Sequence, residues 1–468
     1  MNNNPAIIWG ARRISFGQME QYASGAASQL KGLGIKPGDR VAICAPSCVE
    51  YIIVLFGLWR TGAVACPISP RWPLRAVSDF LSRVNAALLL TTVAIKSHWP
   101  GLPTRSLYLN EIVCFDARRD FSARGFFHPD INQEVTVIAT SGSSGLPKAA
   151  VHTWGNHYYS ALGAQEMVPL DSGDRWFLLL PLYHVAGIAI VMRAFLAGAA
   201  IIIGMENDLE ETMIKRRPTH VSLVATQMRR LLQTPAGTAA LQSLKYILLG
   251  GSAVPATLIE QSLTHGLNVY LSYGLTEMSS QVATGKAGGR VKALPDRQLK
   301  ISDEGEILVK GKTLFKGYIQ PGRIHLPLTD DGWFQTGDLG RLDDQGCLSV
   351  LGRRDNMFIS GGENIQPEEI ERVLLSLEGV VEAVVVPKQD AEFGHRPVAF
   401  IKFDAGNGRD RSLPKDQIIK YCEQSLPRFK IPVDFYPWPD DLIEKGLKIS
   451  RKEIRGHVPN SENKGTCT

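Results

Sequence analysis

Residues 134–153 read EVTVIATSGSSGLPKAAVHT, and the parsing of this stretch decides the fold. Val135, Val137 and Ala139 fall at a period of two, which marks a strand. The next nine residues, TSGSSGLPK at 140–148, hold two glycines, a run of hydroxyls and a closing lysine. AAVHT then reads as a second short strand, with Thr153 placed to cap a helix. The stretch is therefore a hairpin with a small-residue tip. It is not a Walker A loop, which needs G-x-x-x-x-G-K-[ST]; here Gly142 plus five is Pro147, and Ala149 follows Lys148. Backbone N–H groups and hydroxyls at such a tip suit phosphate oxygens. Taken alone, the string equally suits an ordinary Gly/Ser surface loop.

Outward from the hairpin, the sequence alternates in period. SFGQMEQYASGAASQLKGLG carries apolar residues at helical spacing from Phe16 to Leu30, with Ser15 and Gln18 as a capping box and Gly32 or Gly34 as a stop. DRVAICAP reads as a strand, CVEYIIVLFGLWRTG as a buried helix and AVACPIS as a strand; PLRAVSDFLSRVN and AALLLTT repeat the order. This alternation predicts α/β layers with substantial parallel sheet. Near residue 300 the pattern changes to short strands with Gly and Asp turns, typical of antiparallel structure. After GRRDN (352–356) a helix–strand–strand–helix order predicts a small α+β domain, and HVPNSENKGTCT (457–468) reads as a disordered tail. The expected fold class is α/β. A large N-terminal domain of layered α/β subdomains plus a β-rich subdomain spans 1–353, and a smaller C-terminal α+β domain spans 354–468.

The chain's 468 residues exceed one hydrophobic core. A net charge of +5 gives little support to nucleic-acid binding. Seven scattered cysteines, without a C-x-x-C pair, fit reduced thiols in a cytoplasm. No secretory h-region opens the chain. The most membrane-like stretch, AGIAIVMRAFLAGAAIIIG at 186–204, carries Arg193 and reads as a glycine-broken helix followed by a buried strand.

The hairpin tip is similar to the signature loop of the adenylate-forming superfamily of acyl- and aryl-CoA ligases, adenylation domains and luciferases. Further strings resembling that superfamily follow in order: PLYH (181–184), YGLTE (273–277), GEILVKG (305–311), TGD (336–338), GRRDNMFISGGENIQPEEIE (352–371), LPRFKIP (426–432) and LKISR (447–451). The resemblance implies attack of a carboxylate on the α-phosphate of ATP, then transfer of the acyl group to CoA. It implies that Thr140, Ser141, Gly142, Ser143, Ser144, Gly145 and Lys148 hold the phosphates. Thr276 would touch the α-phosphate, Glu277 would hold Mg2+, and Gly250, Gly251, Tyr273 and Gly274 would meet the adenine. Asp338 and Arg353 would take the ribose, and an acidic side chain there suits two vicinal hydroxyls. Lys448 would be the catalytic lysine of a mobile C-terminal domain hinged at Asp355, with Gly361 and Gly362 lining the CoA entry.

The segment from His184 onward would line the acyl pocket. Amino-acid-activating relatives carry an Asp just past this aromatic; YHVAGIAIVMR has none and offers Arg193, which suits a second carboxylate. TSGSSGLPKAAVHT, SLVATQMRRLL, SGGENIQPEEIERV, FGHRPVA and LKISR resemble the 2-succinylbenzoate–CoA ligases of menaquinone biosynthesis. The expected substrate is that diacid, with His152 and Thr226 also facing its ring. Rival readings are a CoA ligase for another aryl or fatty acid, an enzyme loading a carrier protein, and a non-catalytic ATP-binding regulator. Retention of Lys148, Glu277, Asp338 and Lys448 together disfavours the last. No nucleic acid and no membrane span is expected, and oligomeric state stays open, a homo-oligomer included.

Overall fold

Two large sheets face each other across a layer of helices. The computed structural model describes residues 3–96, 102, 104–115, 129–140, 147–204, 209–251, 254–404, 413–442 and 451–459. Among these, one sheet has eight strands, in the order Arg323–His325, Gly317–Gln320, Lys148–Thr153, Glu134–Thr140, Val64–Pro67, Arg40–Cys44, Ala86–Thr91 and Ser106–Tyr108. The other has nine: Lys292–Ala293, Ser280–Lys286, Val269–Leu275, Tyr246–Gly250, His220–Leu223, Arg175–Leu178, Ala200–Ile203, Pro5–Trp9 and Arg12–Ser15. Central pairs are parallel; the outer pairs are antiparallel except at the Ser106–Tyr108 edge, which pairs parallel with Ala86–Thr91. Parallel strands bury both faces, hence the apolar runs VAIC (41–44), VACP and AIII.

The helices Phe16–Gly32 and Val49–Thr61 fill the space between the sheets. Gly57 lets them approach, since a Cβ there would lie 2.9 Å from the Ala26 Cβ. The core joins their side chains to both inner sheet faces, from Val41, Ile43 and Leu90 on one side to Ile7, Trp176 and Ile201 on the other. Leu74–Arg83 covers the outer face of the eight-stranded sheet. Leu209–Arg216, Ala225–Leu232, Pro235–Gln242 and Ala256–Thr264 cover that of the nine-stranded one. A four-stranded antiparallel sheet follows, ordered Arg297–Ile301, Glu306–Gly311, Phe334–Leu342 and Leu348–Arg353. Beyond it, Pro367–Leu375 and Lys415–Glu423 pack on a three-stranded sheet with their own core.

The chain is thus mixed α/β, with a large N-terminal part and a smaller C-terminal one, as the alternating periods imply. The Ser15–Gln18 capping box starts the first long helix. The stretch 186–204 is the helix Val185–Ala197, stopped by Gly198 at φ +68, then the buried strand Ala200–Ile203. No helix among the described residues is long and apolar enough to cross a membrane. Two differences arise at the C-terminal end. Asp434–Pro437 adds a third strand parallel to Gly394–Phe403, which DFYP, short and half-buried, does not signal. Residues 457–459 of the expected tail form a turn in which Val458 packs by Trp438 and Ile454; 460–468 lie outside the described residues.

Candidate active site

The strands Tyr246–Gly250 and Val269–Leu275 run parallel with Gly250 opposite Ser272, and the second strand continues to Leu275 and the Thr276–Met278 turn. A Cβ on Gly250 would lie 2.9 Å from the Ser272 carbonyl oxygen, and Gly251 sits at φ +87. At Gly274 the register with Ser280–Lys286 shifts, and a Cβ would fall 2.1 Å from the Ser280 carbonyl oxygen. The turn leaves through Ser279 (φ +56) and Ser280 (φ +114), a left-handed path costly for side chains. Buried bonds hold it: Ser160 Oγ donates to the Ser279 carbonyl (2.7 Å), Ser279 Oγ to the Thr313 carbonyl (3.0 Å) and Arg297 Nε to the Gln281 carbonyl (2.5 Å). The position of Thr276 and Glu277 is therefore set by strain held from outside. Gly274→Ala is expected to lower stability by roughly 1–3 kcal/mol, the range for overpacking; urea titration measures it, and an unchanged midpoint would mean the bulge relaxes freely.

Thr140 pairs with Lys148 to close the hairpin. Ser141, Gly142, Ser143, Ser144 and Gly145 lie outside the described residues. Lys148 is exposed, with Nζ 5.0 Å from the Tyr318 ring centroid. The Tyr318 hydroxyl donates to Glu277 Oε1 at 2.6 Å. Lys148 and Glu277, 129 residues apart in the chain, thus meet at one tyrosine. His152 is 0 % exposed, and Nε2 donates to the Thr276 carbonyl at 2.7 Å, while Nδ1 has no hydrogen-bond partner. Packed by Phe315, it holds the Thr276 turn from beneath. Burial pushes its pKa down to about 4, so it is neutral at pH 7.

Asp338 and Arg353 face each other across paired strands. Asp338 Oδ1 accepts from Arg353 Nη1 (2.9 Å) and Oδ2 from the Tyr273 hydroxyl (2.7 Å). Burial and the Asp338 charge hold the Tyr273 phenol well above its ordinary pKa, so it remains a donor. Sequence reasoning missed Glu306, which is buried and accepts from the Gly337 N–H (2.7 Å) and Arg354 Nη1 (2.6 Å), fixing the TGD turn. Asp355 lies in the short turn Arg354–Asn356, 3.5 Å from Arg353 Nη2. Gly361 and Gly362 take φ +57 and +85 in the turn between Phe358–Ser360 and Glu363–Ile365. They are not brought against the nucleotide-facing residues by any described bond.

Arg193 is the anomaly of the site. It is 4 % exposed on the helix Val185–Ala197, and among the described residues no carboxylate pairs it. Nε and Nη2 have no hydrogen-bond partner, and the guanidinium lies 5.4 Å from the Trp176 ring centroid. Burial, with Arg297 as a second cation nearby, pushes its pKa down to about 9, which leaves it charged at pH 7. A buried charge without a counter-ion is costly. Ser222, another residue missed from sequence, is buried with an unpartnered hydroxyl. The register pairs His220 with Trp176, so Ser222 lies on the same sheet face as that ring. His184 is exposed at the helix entry, and Thr226 is half-buried in the first turn of Ala225–Leu232.

Lys448 lies outside the described residues. Arg451, three residues on, binds Glu371 through both carboxylate oxygens, Glu368 at 2.9 Å and the Val385 carbonyl at 3.0 Å. It was quoted within LKISR without a role; only its buried partner reveals one.

A strained carboxylate turn, a cation at a hairpin base, a ribose-type aspartate and a buried cation without a partner together describe an enzyme that joins a carboxylic acid to a nucleotide. The chain belongs to the AMP-binding enzyme family, whose model matches residues 1–319; the AMP-binding enzyme C-terminal domain matches 369–445. It is 40 % identical to the 2-succinylbenzoate–CoA ligase of Haemophilus influenzae over 430 residues, 91 % of this chain and 88 % of that one. An arginine-to-lysine variant of E. coli MenE with bound OSB-AMS superposes with a TM-score of 0.83 at 30 % identity, covering 97 % and 95 % of the two chains. The Bacillus subtilis o-succinylbenzoate coenzyme A synthetase MenE in complex with ATP and magnesium ion gives 0.81 at 27 %, covering 93 % of each.

Proposed function

We infer that this chain is an AMP-forming acid–CoA ligase acting on 2-succinylbenzoate in menaquinone biosynthesis. The succinyl carboxylate oxygen attacks the α-phosphorus of ATP. The bond from that phosphorus to the bridging oxygen breaks, and pyrophosphate leaves with the electron pair. The CoA thiol then attacks the acyl carbon and releases its proton to solvent, the acyl–oxygen bond breaks, and AMP leaves with the electron pair. The products are 2-succinylbenzoyl-CoA, AMP and pyrophosphate.

The observation that carries the substrate is Arg193. An uncompensated buried guanidinium in the acyl region suits a second carboxylate, and of the two acid groups on 2-succinylbenzoate only one is activated. Family membership, the H. influenzae relative and the OSB-AMS complex support the same reading. Within the reaction, Lys148 and the hairpin hold the β- and γ-phosphates, and Thr276 meets the α-phosphate. Asp338 takes the ribose hydroxyls with Arg353 beside it, and Tyr273 fixes that carboxylate. Glu277 would hold a magnesium ion, which would supply positive charge against the phosphates. Glu277 Oε1 accepts from Tyr318, and the ion would be held through the carboxylate's other oxygen. The six described cysteines are free thiols, which supports a cytoplasmic setting.

Pyrophosphate release across a panel of carboxylic acids, with and without CoA, tests the reading. 2-Succinylbenzoate is expected to turn over at least about tenfold better than monocarboxylates, the smallest margin a buried charge pair gives. Preferred turnover of a fatty or simple aryl acid would overturn the substrate assignment and leave the ligase class standing.

A further inference from the structure

We propose that Tyr318 is a positioning residue that couples the metal-facing carboxylate of Glu277 to the phosphate-facing ammonium of Lys148. The inference rests on the ligase reading above and deepens it.

Three contacts carry it. The Tyr318 hydroxyl donates to Glu277 Oε1 at 2.6 Å, a short charge-assisted bond that engages one carboxylate oxygen and aims the other. Lys148 Nζ stands 5.0 Å from the centroid of the same ring, within cation–π reach. Tyr318 itself belongs to the strand Gly317–Gln320, paired antiparallel with Lys148–Thr153 so that Tyr318 opposes Ala150. The strand bearing Lys148 therefore also fixes the ring that holds it.

The ring cannot swing away. Phe315, buried, packs edge-on against it at 4.7 Å between centroids, and the Phe315 N–H donates to the Glu277 carbonyl at 2.8 Å. The two functions of Tyr318 reside in different parts of the side chain: the hydroxyl serves Glu277, and the ring face serves Lys148. Lys148 and Glu277 carry opposite charge and would otherwise be free to pair directly. With the ring beneath the ammonium and the hydroxyl on the carboxylate, each is left to face the triphosphate.

Two variants separate these parts. Tyr318→Phe keeps the ring and loses the hydroxyl; Tyr318→Leu loses both. Calorimetric titration with ATP, in EDTA and then at stepped Mg2+, gives a readout independent of turnover, and thermal melting of each variant verifies folding. For Tyr318→Phe, ATP affinity in EDTA is expected to match wild type, while the Mg2+ concentration for half-maximal tightening rises roughly tenfold, the lower end for a lost bond to a charged group. For Tyr318→Leu, affinity in EDTA is expected to fall roughly threefold as well, the scale of an exposed cation–π contact. Wild-type Mg2+ dependence in Tyr318→Phe, or identical behaviour of the two variants, overturns the coupling while wild type still binds ATP. Failure of wild type itself to bind ATP with Mg2+ would overturn the ligase reading instead.

Discussion

Arg193→Met is expected to lose 2-succinylbenzoate and gain stability at once. In the free protein the guanidinium is 4 % exposed with two nitrogens unpartnered and no carboxylate among the described residues to pair it. Replacing a buried charge by an apolar side chain of similar length is neutral or stabilising by about 1–4 kcal/mol. On the proposed pairing, the same change would remove the partner of the substrate's ring carboxylate. Truncating one member of a buried charge pair costs roughly 2–5 kcal/mol, or ~30- to ~4000-fold in kcat/KM. Steady-state kinetics should show this loss for 2-succinylbenzoate. 4-Oxo-4-phenylbutanoate, which lacks the ring carboxylate, should be used by the variant as well as by wild type or better. A structural arginine predicts the opposite pattern: a lower melting temperature and equal losses for both acids.

The sequence exposes a site residue when its neighbours along the chain define its setting, and hides it when the setting is built from distant strands. The hairpin is legible because alternation before TSGSSGLPK and the short run after it are both local. Arg193 stands out because a charge interrupts an apolar helix. His152 is read by the same local logic. In a strand beginning at Lys148 it falls on the side of a functional residue, and only the Thr276 turn and Phe315, more than 120 residues on, bury it. Tyr318 has no signal of its own, because its link to Glu277 depends on strand pairing with the hairpin. Ser222 is hidden in HVSL, a strand buried on both faces where one hydroxyl breaks no period. Gly274 was assigned to the nucleotide, yet its lack of a Cβ is also required by the Ser280 carbonyl, a contact created by the register shift.

Lys448→Ala is expected to abolish the first half-reaction and spare the second. A cation delivered to the α-phosphate stabilises charge that develops only as the acyl–phosphate bond forms, and removing one such donor costs about 10²–10³-fold in rate. Thioester formation develops charge at the acyl carbonyl instead and does not need that cation. The described part of the C-terminal region supplies an anchor for it. Arg451 is held by Glu371, Glu368 and the Val385 carbonyl, and three residues of chain reach at most about 10 Å. Arg451, three residues beyond Lys448 in the chain, is thereby anchored to the helix Pro367–Leu375. Arg451→Ala provides the contrast. It strands the buried Glu371, an error worth about 3–5 kcal/mol, so the C-terminal region should loosen and both half-reactions suffer. ATP–pyrophosphate exchange measures the first step, and CoA consumption from supplied 2-succinylbenzoyl-adenylate measures the second. Equal losses in both assays for Lys448→Ala, at unchanged melting temperature, would mean that this lysine serves the two steps alike and that no change of domain position separates them.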